Sequence, residues 1–142
     1  MEPGLFSLII LCPKKDFFEG EVREVVFSTP VGRIGVMAGH APMVAAVAEC
    51  LLEIMTTEGT RIAALGQGFA EIANNKAEFF VDTAEWAEEI DAARAKEALE
   101  LAQQRLHSNI TRIEHLQAQA TMSRALARLK AVESSSIRQG KA

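Results

Sequence analysis

The composition of this 142-residue chain changes abruptly near residue 84. All four prolines, all seven phenylalanines and eight of the nine glycines precede that point. After it, only Gly140 interrupts a helix-forming composition. Gly and Pro punctuate strands and turns, and their absence permits long helices. The expected fold is mainly β plus α. An N-terminal antiparallel β-sandwich spans 1–84, and a C-terminal antiparallel two-helix hairpin spans 85–142, with a frayed tail from Ser134 onward.

Short strands are expected over 5–11, 21–28, 33–37, 43–47, 51–56, 61–65, 69–73 and 77–81, with turn residues between them. Asn74-Asn75 suits a tight hairpin turn because Asn tolerates positive φ. In the second part, Ala92, Ala95, Leu99, Ala102 and Leu106 recur at spacings of three and four, which makes one apolar helical stripe. His107-Ser108-Asn109 interrupts it, and Ser108 or Asn109 is the expected cap of a second helix. The second stripe runs through Ile110, Ile113, Leu116, Met122, Leu126, Leu129 and Val132. Such Ala-rich facing stripes bury little area per residue, so the hairpin is weakly held unless something braces it.

Charge divides at nearly the same place. The formal net charge of −4 separates into −9 over residues 1–104 and +5 over 105–142. The net charge argues against a general nucleic-acid binder, and an acidic body with a basic tail suggests an acidic partner for the tail. Apolar residues make up 49% and charged residues 24%, which is globular rather than disordered. No apolar run approaches the ~18 residues of a membrane span. Residues 1–6 lack the pattern of a secretory signal or transit peptide. Cys12 and Cys50 have no redox or metal spacing and read as reduced core thiols. No phosphate loop, nucleophile elbow or metal-binding His pair is present, since His107 and His115 stand eight apart.

Three features carry chemistry. Gly39-His40-Ala41-Pro42 forms a stiffened loop, where His40 either shapes the backbone or serves as a ligand or base. In Ile90-Asp91-Ala92-Ala93-Arg94-Ala95, Asp91 caps the first helix and Arg94 lies on nearly the same face. That pair either receives phosphate or closes on itself. Arg112, Arg124, Arg128 and Lys130 give the second helix a cationic face with Glu114 as its acidic member, and the repulsion is relieved by phosphate or by an acidic surface.

In order and spacing these fragments resemble the epsilon subunits of bacterial-type F-type rotary ATP synthases. The stretches that carry the resemblance are Phe18-Glu19-Gly20-Glu21-Val22, Gly32-Arg33-Ile34-Gly35-Val36, Gly39-His40-Ala41-Pro42, Gly68-Phe69-Ala70-Glu71-Ile72, Asp82-Thr83-Ala84-Glu85 and the Ile-Asp-x-x-Arg-Ala run at Ile90. The resemblance implies a non-catalytic central-stalk rotor subunit that couples proton translocation to ATP synthesis, peripheral on the cytoplasmic face of a bacterial inner membrane. It implies a sandwich seated on the gamma subunit and the membrane rotor ring of c subunits. It also implies a hairpin that extends toward the catalytic beta subunit and inhibits hydrolysis. No cofactor is required, but a regulatory ATP is implied. Arg94, Arg124 and Arg128 then take its phosphates, while Glu85, Ile90, Asp91 and Ala95 hold the adenine end or the helix start. Partner contacts are implied for Arg33, His40, Arg112 and Lys130. Arg33 stands where the family usually has an acidic residue, Ala38 replaces a proline and Cys50 replaces a glycine. Two other readings stand beside this one: a stand-alone nucleotide-binding sensor, and a hydrolase or isomerase using His40.

Overall fold

The structure is a computed structural model that describes residues 4–138. Ten strands are followed by two helices. The strands are β1 (Phe6–Cys12), β2 (Lys15–Val22), β3 (Glu24–Thr29), β4 (Gly32–Met37), β5 (Met43–Val47), β6 (Cys50–Thr56), β7 (Gly59–Leu65), β8 (Gly68–Ala73), β9 (Lys76–Val81) and β10 (Ala84–Trp86). A 3-10 turn, Ala87–Glu89, leads to α1 (Ala92–Leu106) and α2 (Arg112–Arg138).

Two five-stranded sheets stack face to face, with orders β2-β1-β9-β8-β5 and β10-β7-β6-β3-β4. Period-two alternation places one face of each strand inside. Phe6, Leu8 and Ile10 point inward from β1, and Leu52 and Ile54 from β6. Phe27 of the second sheet meets Phe79 of the first edge-on, with ring centroids 4.9 Å apart. Neighbouring strands pair antiparallel except β1 and β9, which are parallel.

The β8–β9 hairpin turns on Asn74 and Asn75, at φ of 54° and 59°, as its sequence implied. Asn75 also ties this end of the sandwich together. Its amide donates to the Leu5 carbonyl at 3.0 Å, and its side-chain oxygen accepts from Gly39 N at 2.9 Å. Gly68 is required by a close approach, because a Cβ there would collide with the Phe80 carbonyl oxygen and lie 2.8 Å from its carbon.

The expected 21–28 strand is two strands. The chain bends at Arg23, so β2 ends in the first sheet and β3 begins in the second. β2 was missed because its sequence, KDFFEGEV, is half charged; as an edge strand it buries Phe17 and Val22 and leaves Lys15 in water. β10 pairs with β7 and carries the second sheet across the boundary expected at 84/85.

Asp91 caps α1 by accepting from Arg94 N at 3.2 Å. The cap of α2 is Thr111, not Ser108 or Asn109. Glu114 N donates to Thr111 Oγ1 at 3.1 Å and Thr111 N donates to Glu114 Oε1 at 3.0 Å, a reciprocal capping box. These bonds hold the Glu114 carboxyl below its ordinary value. Ser108 Oγ instead donates back to the Arg105 carbonyl. α2 continues through Ser134 to Arg138, past the expected onset of fraying; the rest of the tail lies outside the described residues.

The hairpin packs on alanine. Ala95 and Ala102 are buried on α1, and Ala118, Ala125, Ala127 and Ala131 on α2. The expected large stripe residues Ile113, Leu116 and Leu126 are exposed at 69%, 55% and 39%. Ala125 and Ala127 are two residues apart and so face nearly opposite sides of the helix. α2 therefore lies between α1 and the outer face of the second sheet.

Candidate functional site

The seam between α2 and the second sheet gathers Glu85, Arg124, Arg128 and Lys130. β7 is built to receive a helix. Ile62, Ala63, Ala64 and Leu65 are all buried, so the usual alternation fails. Ala63 and Leu65 belong to the sandwich core, and Ile62 and Ala64 form a second cluster with Ala87 and Ala131. Leu51 and Ile90 pack against its edge. Small side chains on both surfaces let the helix approach closely.

Two arginines one helical turn apart flank this alanine contact. Arg128 Nε donates to Glu85 Oε1 at 2.6 Å, joining α2 to β10. This is a charge-assisted bond between half-exposed groups. Arg124 Nη1 lies 3.9 Å from Glu49 Oε2, too far for a hydrogen bond, and its other nitrogen donates to Thr121 Oγ1 at 3.4 Å. Sequence reasoning missed Glu49. Its signal was a lone carboxylate within the apolar stretch from Met43 to Leu52.

Glu85, Arg124 and Arg128 line one small cavity of about 160 Å3, together with Ala64, Gly66 and Thr83. Arg94 does not line it. Asp91 is occupied as the α1 cap, Ala95 is buried, and the Arg94 side chain is exposed. Small-molecule sites usually run to roughly 300–1,000 Å3, so the closed cavity matches a phosphate-sized group rather than a nucleotide. Any phosphate entering it must also compete with the Glu85 carboxylate for Arg128.

Arg33 is engaged within the chain while its side chain stays 39% exposed. Its guanidinium donates to Ser28 Oγ at 2.9 Å, to the Leu51 carbonyl at 3.0 Å and to the Val26 carbonyl at 3.4 Å, and lies 3.7 Å from Glu53. It thereby straps β4 across β3 to β6. Cys50, the replacement for a glycine, is buried, and its sulfur accepts from Ser28 N at 3.4 Å. Burial pushes its thiol up. The His40 ring lies 2.7 Å from the Ala41 carbonyl, so Nδ1 carries the proton and the ring shapes the loop. Arg112 and Lys130 are exposed on α2, and Lys130 lines a larger cleft beside Glu49.

The other sheet has an uncovered outer face. Val44 and Phe69 are 70% and 47% exposed, and Phe69 stacks on Phe80 at 5.0 Å. The turn before β4 exposes Val31 at 96%.

Family comparison matches residues 5–87 to the ATP synthase delta/epsilon chain beta-sandwich domain and residues 88–133 to the ATP synthase delta/epsilon chain long alpha-helix domain. An ATP synthase epsilon chain from Ruminiclostridium cellulolyticum is 40% identical over 126 residues, covering 89% of this chain and 94% of its own. One from Caldicellulosiruptor bescii is 40% identical over 128 residues, covering 90% and 93%. A chain in the Euglena gracilis mitochondrial ATP synthase superposes with a TM-score of 0.81 at 22% identity, covering 94% of this chain and 82% of that one, a likeness of fold.

Proposed function

The chain belongs to the ATP synthase delta/epsilon family, and from that membership we propose that it is a rotor subunit whose helical hairpin is a detachable brake on ATP hydrolysis. An epsilon chain is a structural and regulatory subunit, not the catalytic one. The observation that carries the proposal is how α2 is held. Its side of the contact with the sandwich is mainly alanine, set against Ile62, Ala64 and Ala87 and flanked by two arginine–carboxylate pairs, one of them loose. Alanine contacts bury little area, and half-exposed ion pairs contribute about 0–1 kcal/mol each. Such a helix lifts away without disturbing the sandwich core.

The two sheets then have different work. α2 covers the outer face of the second sheet, so the free face of the first, with Phe69, Phe80 and Val44, is the surface for gamma. The exposed turn at Val31 and the His40 loop are offered to the rotor ring. Once α2 lifts, Arg124 and Arg128 lose Glu49 and Glu85 and, with Arg112 and Lys130, seek an acidic surface on the catalytic beta subunit. Through this assembly the subunit works in coupling proton translocation to synthesis, on the cytoplasmic face of a bacterial membrane. No described helix is long and apolar enough to cross a membrane, so attachment is through the complex.

ATP fits this scheme as a regulator. Arg94, Arg124 and Arg128 supply phosphate contacts, with Glu85, Ile90, Asp91 and Ala95 at the adenine end and helix start. The closed cavity must open and Glu85 must yield Arg128. At 100 times its dissociation constant, a ligand selective for the folded arm contributes about 2.7 kcal/mol. That exceeds either ion pair and is enough to set the arm's position.

The test is reconstitution. Tagged chain should retrieve gamma and lower the ATPase rate of a complex lacking it. A chain ending at Asp91 should retrieve gamma and leave hydrolysis fast. Failure to retrieve gamma sinks the rotor reading in favour of a free sensor; equal rates with both chains sink the brake.

A further inference from the structure

Glu49 joins β5 to β6 under the inner face of α2. Its side chain is only 11% exposed, and Oε2 is buried without a hydrogen-bond donor. Ser123 and Ala127 of α2 line the same cleft of about 460 Å3, so the helix is part of what covers the carboxyl. The charged and titratable groups around it come from every neighbouring element. α2 presents Arg124 at 3.9 Å and Lys130 across the cleft. The sheet presents Cys50 and the mutually paired Arg33 and Glu53. Asp82, between β9 and β10, adds a like charge.

We propose that docking of α2 is linked to proton uptake at Glu49: the helix closes more readily over the neutral carboxyl than over the carboxylate. This rests on the reading of α2 as a detachable arm. A buried carboxylate is tolerated when donors satisfy both oxygens. Here one oxygen has none, and Arg124 stands too far away to bond. Burial outweighs the attraction of Arg124, and Asp82 pushes the same way as burial, so the carboxyl sits above its ordinary value. When α2 lifts, Glu49 returns to water and titrates normally.

The sign follows from linkage. The docked state binds the proton more tightly, so the docked-to-undocked ratio rises as pH falls from above the docked midpoint to below the undocked one. Each pH unit between those midpoints is worth about tenfold in the ratio. A plain ion-pair latch behaves oppositely and loosens on acidification. Glu49 instead makes the arm lift more easily in alkaline than in acidic surroundings.

NMR of the full chain tests this, following the Glu49 carboxyl carbon and the Ala131 methyl from pH 4.5 to 8. Three chains are needed: wild type, Glu49→Gln, and Ala131→Arg, which forces α2 off. The wild-type Glu49 midpoint should lie above that in Ala131→Arg. The docked Ala131 signal should grow on acidification through that window. Glu49→Gln should raise the docked ratio at pH 7 and flatten its dependence above pH 5. Equal Glu49 midpoints in wild type and Ala131→Arg, or a docked signal that shrinks on acidification in that window, would overturn the inference. A wild-type chain with no undocked signal at any pH would refute the detachable arm instead, and the midpoint comparison would still decide the proton linkage.

Discussion

Ala131 is fully buried between α2 and the second sheet, against Ile62, Ala64 and Ala87. Ala131→Leu adds three carbons to a contact built from small side chains. Overpacking of this kind costs about 1–3 kcal/mol. The sandwich core is a separate cluster around Phe27, Phe79 and Leu52, so the cost falls on docking. Taking about 2 kcal/mol, the docked-to-undocked ratio falls roughly thirtyfold, since each 1.4 kcal/mol is a factor of ten. Amide hydrogen exchange on the full chain reads this directly. Amides over 123–135 should exchange roughly thirtyfold faster, while those of β1, β6 and β9 keep their rates. In a reconstituted complex the same variant should deepen inhibition, because more arms are free to extend. Two results would refute the reasoning: α2 protection unchanged, or sandwich and α2 losing protection together, which would make them one cooperative unit.

Other consequences follow from particular contacts. Glu85→Gln and Arg128→Gln should each weaken docking, with a coupling in the double-mutant cycle of about 0.2–1 kcal/mol; zero coupling would remove this pair from the account. Arg94→Ala and Arg124→Ala should each weaken ATP binding in calorimetry, and an unchanged affinity in both would remove the phosphate role. Gly68→Ala should lower the urea midpoint of the sandwich by an amount equivalent to about 1–3 kcal/mol, because its Cβ meets the β9 backbone. Glu114 has a lowered folded value, so its cap stabilises α2 above the unfolded carboxyl value and is lost as pH falls through the lowered one. Exchange at 112–116 should accelerate over that range in wild type, and Glu114→Gln should abolish the dependence.

Where a local signal sufficed, the sequence was a good guide. Alternation in β1 and the Asn74-Asn75 turn needed only neighbours to be read, as did the Asp91 cap. Where tertiary contact decided, it was not. β2 is an edge strand, and half of its residues answer to solvent rather than to a core. α2 displays large apolar residues at helical spacing, yet the surfaces that receive it are narrow, so its alanines are buried and Ile113 and Leu116 are left in water. Ser108 and Thr111 are both plausible caps in sequence; Glu114 three residues on selects Thr111. At the site, Glu85, Arg124 and Arg128 do converge, but Arg94 stays apart from their cavity. Arg33 is held along the sheet surface by carbonyls 7 and 18 residues away, a distance over which no local pattern speaks. The continuous apolar run Ile62 to Leu65 was a legible sign of a doubly covered strand, and so of a helix lying on it.

The distance between a spin label at the exposed Glu58, in the turn between β6 and β7, and one on α2, measured by pulsed resonance in the assembled complex, tests the detachable arm most directly. The account predicts two distances, with ATP shifting the population to the docked one and Ala131→Leu shifting it to the other. A single distance that neither ATP nor Ala131→Leu changes would contradict it.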